Sequence, residues 1–307
     1  MKQILLKLFL LLSLSSMVFA HDLQVYTADN KEGKITPQSI EAAFVKAGFY
    51  TSENRDMNLP FTKQFKETNF DVYNLFTFYS KAHTLSLAKK YPQIGLFAPL
   101  SMSIYTKKGE KSICVSTLTL EALSTIMEIP KDDPTLIEIA QMMQKAIKLA
   151  LPNAKLEKLS CNVKALKGKR ITRFEMEMDK DEWEDAKDEF QMEFEGELSQ
   201  NGFVMAGFND LNFDFKENKY DGYTFYDVYS ICKLPVIYTV AKLRPEAGAF
   251  APCSLYLYMK KGEETMHIAY PSVYNWISAL SIEDKASLEV LDDAQKRMEK
   301  ILTKLTE

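Results

Sequence analysis

Apolar residues recur along this chain at two different spacings, which predict helices in some segments and strands in others. Ile40, Phe44 and Val45 follow a helical spacing, and Thr36 with Pro37 supplies an N-cap and a first helical position before them. The same spacing recurs in a later segment, at Trp183, Ala186, Phe190, Phe194 and Leu198. Strand-like segments lie between these helices, so the chain is predicted to have an α+β fold.

The predicted elements occur in the same order in two parts of the chain. In the first part we expect a strand at 23–28, a helix after Thr36, β structure at 70–79, a short helix at 82–90, a hairpin turning at Lys108-Gly109 and a closing helix at 134–151. In the second part we expect a strand at 171–178, a helix from Trp183, β structure at 223–232, a short helix at 236–243, a hairpin turning at Lys261-Gly262 and a closing helix at 287–305. Glycine accepts the positive φ that each turn needs. This order favours, in each part, an antiparallel sheet covered on one face by helices.

A sequence repeat relates the two parts. Residues 91–101 recur at 244–254, with an offset of 153 residues, and residues 105–110 recur at 258–263 with the same offset. We also align Asp71-Val72-Tyr73 with Asp227-Val228-Tyr229, at an offset of 156, and Gly48-Phe49 with Gly202-Phe203, at 154. Offsets that differ this little indicate small insertions. The chain is therefore predicted to contain two tandem copies of one domain, residues 21–155 and 165–307.

The amino terminus has the character of a secretory signal. Lys2 and Lys7 accompany a short apolar run at 8–14, and Val18-Phe19-Ala20 has the small residues of a cleavage site. We expect residues 1–20 to be removed before His21 and the mature protein to be periplasmic or secreted. The apolar run is shorter than the roughly 20 residues that a membrane span needs, and no later segment reaches that length.

Charge and motif content narrow the classes of function. The formal net charge of −4 argues against nucleic acid as a partner, because nucleic-acid binding needs a basic surface. Three histidines leave few general bases, and no phosphate loop, nucleophile elbow or dinucleotide fingerprint occurs. An enzyme is disfavoured and no cofactor is expected. The sequence favours a non-catalytic binding or interaction module, whose partner is an envelope protein or a small apolar ligand.

Four cysteines follow the predicted signal: Cys114, Cys161, Cys232 and Cys253. An oxidising compartment permits disulfides, and spacing alone does not choose among the three full pairings. A thiol-dependent redox or metal-handling role that uses Cys232 and Cys253 is the alternative to the binding module.

Hairpin geometry assigns these thiols to sheet faces. We pair Leu255 with Ile268 and Leu257 with Met266, which places Cys253 on the apolar face and His267 on the other. A Cys-Cys-His metal site is therefore disfavoured, and a buried structural thiol or a disulfide is favoured.

Aromatic side chains concentrate in the second copy, and one set is a candidate ligand groove: Tyr223, Phe225, Tyr229, Tyr256, Tyr258 and His267. Core packing and an aromatic-lined groove for an apolar ligand both remain open for them. The twelve carboxylates of residues 175–197 lack the spacing of a calcium loop, so we interpret them as a solvated helix face.

The second copy also carries a family resemblance. Asp-Val-Tyr at 227–229, a short helix, Pro-Glu-Ala-Gly-Ala-Phe-Ala-Pro-Cys at 245–253 and the hairpin after it resemble the bacterial domain-of-unknown-function 302 (DUF302) family. The resemblance covers nearly all of both copies and implies a two-layer fold similar to the TBP-like (helix-grip) group. It implies paired cysteines at Cys232 and Cys253, and their loss in the first copy, where we place Phe76 and Leu100 at the equivalent positions. It implies no activity, because the family has no established one.

Overall fold

The computed structural model describes residues 22–159, 163–179 and 181–307. The predicted signal at 1–20, the expected new terminus His21, and Cys161 lie outside the described residues. Within them, no helix is both long and apolar enough to cross a membrane.

The first half begins with strand β1 and closes with helix α5 and a short strand. Its strands are β1 (Leu23–Asp29), β2 (Tyr50–Asp56), β3 (Phe70–Tyr79), β4 (Leu100–Lys107), β5 (Ser112–Leu118) and β6 (Lys155–Leu156). Its helices are α1 (Pro37–Lys46), α2 (Asn58–Phe65), α3 (Lys81–Ala88), α4 (Leu120–Met127) and α5 (Pro134–Ala150), with a 3₁₀ helix at Pro92–Phe97.

The second half repeats this order. Its strands are β7 (Ile171–Glu177), β8 (Val204–Asp210), β9 (Tyr223–Cys232), β10 (Cys253–Lys260) and β11 (Thr265–Pro271). Its helices are α6 (Trp183–Gln200), α7 (Leu211–Glu217), α8 (Leu234–Leu243), α9 (Tyr274–Ala279) and α10 (Lys285–Thr306), with a 3₁₀ helix at Pro245–Phe250.

Each half forms one antiparallel sheet. The strand order is β2-β3-β4-β5-β1-β6 in the first half and β8-β9-β10-β11-β7 in the second, so the five main strands follow the same topology. Helices α1 and α5 pack together in the first half, as α6 and α10 do in the second. The α+β class with two antiparallel sheets and helices is confirmed, and this is the arrangement expected of two tandem sheet-plus-helix domains.

Local sequence explains where the predicted elements begin. Helix α1 starts at Pro37 because the Thr36 hydroxyl accepts a hydrogen bond from the Ser39 N–H, while the Ser39 hydroxyl accepts one from the Thr36 N–H. Ile40 and Phe44 are buried as predicted. Val45 is 54% exposed, so its place in the apolar stripe was wrong.

From the sequence alone, no element is predicted at the positions of β2, α2, α4, β6, β8, α7 and α9. Strands β2 and β8 are the outer neighbours of β3 and β9, and their residues are mostly half-buried or exposed. Strand β2 carries polar side chains at every position after Tyr50, and β8 exposes Val204, Met205 and Phe208, so neither strand shows the apolar alternation that marks an inner strand.

The register of the second hairpin differs from the predicted one by two residues. Leu257 pairs with Ile268 and Tyr258 pairs with His267, because four residues, 261–264, separate β10 from β11. A shift of two residues leaves every side chain on its face. Cys253 therefore shares the face of Leu257, and His267 lies on the opposite face, as predicted.

The strand pairing corrects the alignment of the two halves. Phe78 pairs with Leu100 in the first half, and Ile231 pairs with Cys253 in the second, so the offset of 153 residues holds through β3 and β9. The residue equivalent to Cys232 is consequently Tyr79. The predicted equivalent, Phe76, was wrong, because the two Asp-Val-Tyr triplets do not occupy the same positions of their strands.

The two halves contact each other through equivalent surfaces. The Tyr226 hydroxyl donates to the Pro92 carbonyl, and the Tyr73 hydroxyl donates to the Pro245 carbonyl at 3.0 Å. Each 3₁₀ helix thus lies against the sheet of the other half. The sheet face that carries no helix layer is covered in this way.

Candidate functional site: an apolar cavity in the second half

Strand alternation separates the predicted aromatic groove onto two faces of the sheet. Phe225 and Tyr229 lie on the helix-covered face, where the Phe225 ring stacks on Trp183 at 5.6 Å and the Tyr229 ring meets Phe194 edge-on at 5.5 Å. Both side chains are buried. They are core residues between the sheet and α6.

The other members of the predicted groove lie on the opposite face. Tyr256 and Tyr258 are buried there, and the Tyr223 hydroxyl donates to the Ala88 carbonyl of the first half at 2.7 Å. His267 is half-buried, 4.9 Å from the Tyr258 ring and 3.1 Å from a Glu175 oxygen. The six residues do not form one groove; those on this face belong to the contact between the halves and its margin.

The structure does bring Cys232 and Cys253 to one apolar cavity of about 60 Å³. Cys232 ends β9, and Cys253 begins the neighbouring strand β10, beside Ile231. The cavity lies between these strand ends and helices α8, α9 and α10. Apolar side chains from all of these elements form its wall: Ile231, Val236, Ile237, Leu255, Trp276 and Met298.

The small size of the Cys232 and Cys253 side chains explains why this cavity is open. In the first half, Tyr79 and Leu100 occupy the positions of Cys232 and Cys253, and both border an equivalent space of only about 10 Å³. A tyrosine and a leucine fill volume that two thiols leave open. The same architecture is therefore nearly closed in the first half and hollow in the second.

The described cysteines Cys114, Cys232 and Cys253 are free, and no disulfide joins Cys232 to Cys253. The Cys253 thiol donates to the Phe250 carbonyl at 3.4 Å. Burial raises the pKa of each cavity thiol to about 12, although the charge of Arg55 opposes the rise at Cys232 and the Trp276 side chain opposes it at Cys253. Both thiols are consequently protonated at neutral pH.

The polar side chains of the cavity wall already have partners. The Lys233 ammonium lies 2.7 Å from an Asp293 oxygen. The Gln295 oxygen accepts from the Val273 N–H at 3.1 Å, and its amide nitrogen donates to the Thr172 hydroxyl at 2.8 Å. An apolar guest would leave these groups satisfied, which is what a ligand pocket requires.

Sequence reasoning missed Lys233, Trp276 and Gln295 as parts of this wall. Trp276 lies in α9, which was not predicted, and the apolar residues that flank it were the available signal. Lys233 and Gln295 show no distinguishing pattern in the sequence. The described residues contain no group of three or more His, Cys, Asp or Glu side chains that could hold a metal ion.

Comparisons with known proteins identify the same part of the chain. Residues 183–305 match the family model of "Domain of unknown function DUF302", and this range contains the whole cavity wall. No curated protein matches the chain. Among solved structures, an uncharacterized conserved DUF302 protein from Bacillus stearothermophilus is similar, with 20% identity and a TM-score of 0.38, over 46% of this chain and all of that chain.

Proposed function

With residues 183–305 identified as a DUF302 domain, we propose that this protein is a non-catalytic binding module whose second half holds a small apolar ligand in the cavity beside Cys232 and Cys253. The observation that carries the proposal is the contrast between the halves. The cavity of about 60 Å³ lies where the first half, with Tyr79 and Leu100, leaves about 10 Å³.

The cavity sets the size and the polarity of its guest. A space of about 60 Å³ is small, so the guest is a short alkyl or other compact apolar group. Cavities with apolar walls bind such groups because they hold water poorly. Burial of apolar surface favours binding by about 25 cal/mol per Å², from which the cost of immobilising the ligand is subtracted.

The protonation state of the two thiols supports a binding role over a thiol-dependent reaction. A thiol with a pKa of about 12 supplies almost no thiolate at neutral pH, and the thiolate is the nucleophile and the metal ligand. The ammonium of Lys233 is paired with Asp293. The two thiols therefore act in the proposal as small apolar groups that leave space.

Substitutions at Cys253 test the proposal, with xenon as a small apolar probe. We expect xenon pressure to shift the NMR signals of the Ile231, Val236 and Leu255 methyl groups in a saturable way. Cys253→Leu, which copies Leu100, should abolish these shifts by filling the cavity, whereas Cys253→Ala should retain them. Cys114→Ala, which removes a thiol on β5, is the matched control and should behave like the wild type.

Two outcomes would overturn the cavity proposal. One is the absence of saturable shifts in the wild type. The other is their loss in Cys253→Ala, since that result would mean that the thiol itself, and not the space beside it, is required. Thermal unfolding of each variant checks that the fold is retained.

Reactivity of the thiols tests the rival proposal of a redox or metal-handling role for Cys232 and Cys253. We expect both to react with a disulfide reagent at pH 8 at least about 100-fold more slowly than free cysteine, because burial holds their pKa at about 12. In urea their rates should reach that of free cysteine. Fast and reversible oxidation of the folded pair at a mild potential would instead favour the redox role.

A further inference from the structure

A second concave site lies where the edge strands of the two sheets meet. The Arg55 guanidinium, on β2, donates to the Ala206 carbonyl, on β8, at 3.4 Å. Beside this contact lies a cleft of about 120 Å³, twice the volume of the cavity. Both halves supply apolar side chains to its wall: Met57, Leu75, Val204, Leu234 and Pro252. Cys232 separates this cleft from the cavity, since it borders both.

The cleft also has a charged margin. Arg55 and Glu53 both border it, with their closest nitrogen and oxygen 3.5 Å apart and their side chains 47% and 40% exposed. Within the described part of the chain, the guanidinium makes two hydrogen bonds, both long and both through one terminal nitrogen. A guanidinium has five N–H donors in a planar fork, so most of its capacity faces the cleft or solvent.

The equivalent place on the other side of the interface is closed by polar groups. Tyr79, the counterpart of Cys232, donates its hydroxyl to an Asp214 oxygen at 2.9 Å. Lys81, the counterpart of Leu234, lies 2.6 Å from the same carboxylate. These side chains satisfy one another. Cysteine and leucine at the matching positions leave the cleft beside Arg55 open and apolar.

We propose that this cleft binds a small amphiphilic monocarboxylate, with its carboxylate on Arg55 and its aliphatic chain against Leu75, Val204 and Leu234. Arg55 holds a carboxylate best because its parallel N–H groups match the two carboxylate oxygens. The incoming carboxylate exchanges for Glu53, which has only one long contact to Arg55. This site does not depend on the apolar cavity of the proposed function.

The volume sets the chain length of the ligand. A cleft of about 120 Å³ is too small for a long acyl chain, so the probe is a short-chain carboxylate, hexanoate, with its carboxylate at the Arg55 margin and its alkyl chain against the apolar wall. Acetate leaves the apolar wall uncovered, and 1-hexanol lacks the charge. We therefore expect the cleft to bind hexanoate more tightly than either acetate or 1-hexanol.

The experiment is titration calorimetry of the full-length protein with sodium hexanoate, at low salt. We expect a dissociation constant on the order of 1 mM. Arg55→Gln should weaken binding by at least about tenfold, because it removes a charge-assisted hydrogen-bonded pair. Arg55→Lys should lose less affinity than Arg55→Gln, since lysine keeps the positive charge but lacks the planar pair of N–H donors. Glu53→Gln should bind hexanoate more tightly, because it removes the competing carboxylate.

Two further variants locate the binding. Lys233→Met removes the other cation near Cys232, and Cys253→Leu fills the cavity, so both should bind hexanoate as the wild type does. The proposal is overturned if hexanoate does not bind at a concentration about 10-fold above the expected dissociation constant, or if 1-hexanol binds as tightly as hexanoate. It is also overturned if Lys233→Met weakens hexanoate binding and Arg55→Gln does not. Thermal unfolding confirms that each variant is folded.

Discussion

Replacing Gly248 with alanine is expected to lower the free energy of unfolding by about 3 kcal/mol, the upper part of the usual range for overpacking. A Cβ atom at this position would lie 2.5 Å from the Ser103 Cβ, 2.8 Å from a Leu75 methyl carbon and 3.2 Å from the Ser103 Cα. Two of these atoms belong to or adjoin the backbone of the facing sheet, so relief requires movement of one half against the other. Urea unfolding followed by circular dichroism measures the change.

Gly196→Ala is the matched control for this prediction. Gly196 lies within α6, and a Cβ atom there would have no neighbour within 4 Å. Alanine is the better helix former, so this variant should gain about 0.5 to 1 kcal/mol. If Gly248→Ala proves as stable as the wild type, the close approach of the two halves at the 3₁₀ helix is refuted.

Replacing Lys187 with methionine is expected to cost about 3 kcal/mol of stability near pH 7. The Lys187 ammonium lies 2.6 Å from an Asp227 oxygen, and Asp227 is only 1% exposed. Among the described residues, Gln191 is the other partner of this carboxylate and donates one hydrogen bond to it at 3.2 Å. Without the ammonium, a buried carboxylate would be left with an amide alone, and it would have to lose its charge or unfold the site.

The pH dependence of this loss has a definite sign. Burial raises the pKa of Asp227 above its ordinary value even though Lys187 opposes the rise. A carboxyl whose pKa is higher in the folded than in the unfolded state favours folding at low pH, and this contribution is lost as pH rises through the folded pKa. Without Lys187 this pKa rises further, so ionisation of Asp227 near pH 7 costs more stability in the variant than in the wild type. Protonation of Asp227 removes that cost, so the stability gap between the variant and the wild type should shrink as pH falls from 7 to 4.

A second substitution supplies the control for the ion pair. Position 227 corresponds to Asn74 in the first half, where the amide donates to the Asn54 oxygen at 2.9 Å. Asp227→Asn in the Lys187→Met background removes the unpaired charge, so it should recover at least about 2 kcal/mol near pH 7. A gap that does not change with pH, or a double variant no more stable than Lys187→Met, would contradict this account of Asp227.

Much of the fold could be predicted because its signals are local. Both inner strands, 70–79 and 223–232, agree with the predicted segments, and α1 begins at the predicted cap. Gly109 and Gly262 have φ of 79° and 84°, the conformation for which glycine was identified at the hairpin turns. Each of these features depends on a few neighbouring residues. The face of Cys253 could likewise be assigned, because side chains alternate along a strand regardless of a register shift of two.

The candidate sites depended on contacts between distant residues. That Tyr79, and not Phe76, is the counterpart of Cys232 followed from the pairing of β3 with β4 and of β9 with β10. Whether the two thiols form a disulfide or remain free, and how far burial raises their pKa, depended on helices that pack over them. Arg55 borders the same cleft as Cys232 although 177 positions separate them in the chain.

The sequence by itself determined the α+β class, the inner strands, the cap of α1 and the alternation that places Cys253 on the apolar face, because periodicity, caps and turns act over a few residues. Only the tertiary structure decided that the predicted aromatic groove is divided between a core and an interface, and that two cysteines leave a cavity where tyrosine and leucine close one. The physical reason is that an empty volume belongs to no single segment. It remains where side chains from several elements, each placed by its own local rule, fail to fill the space between them.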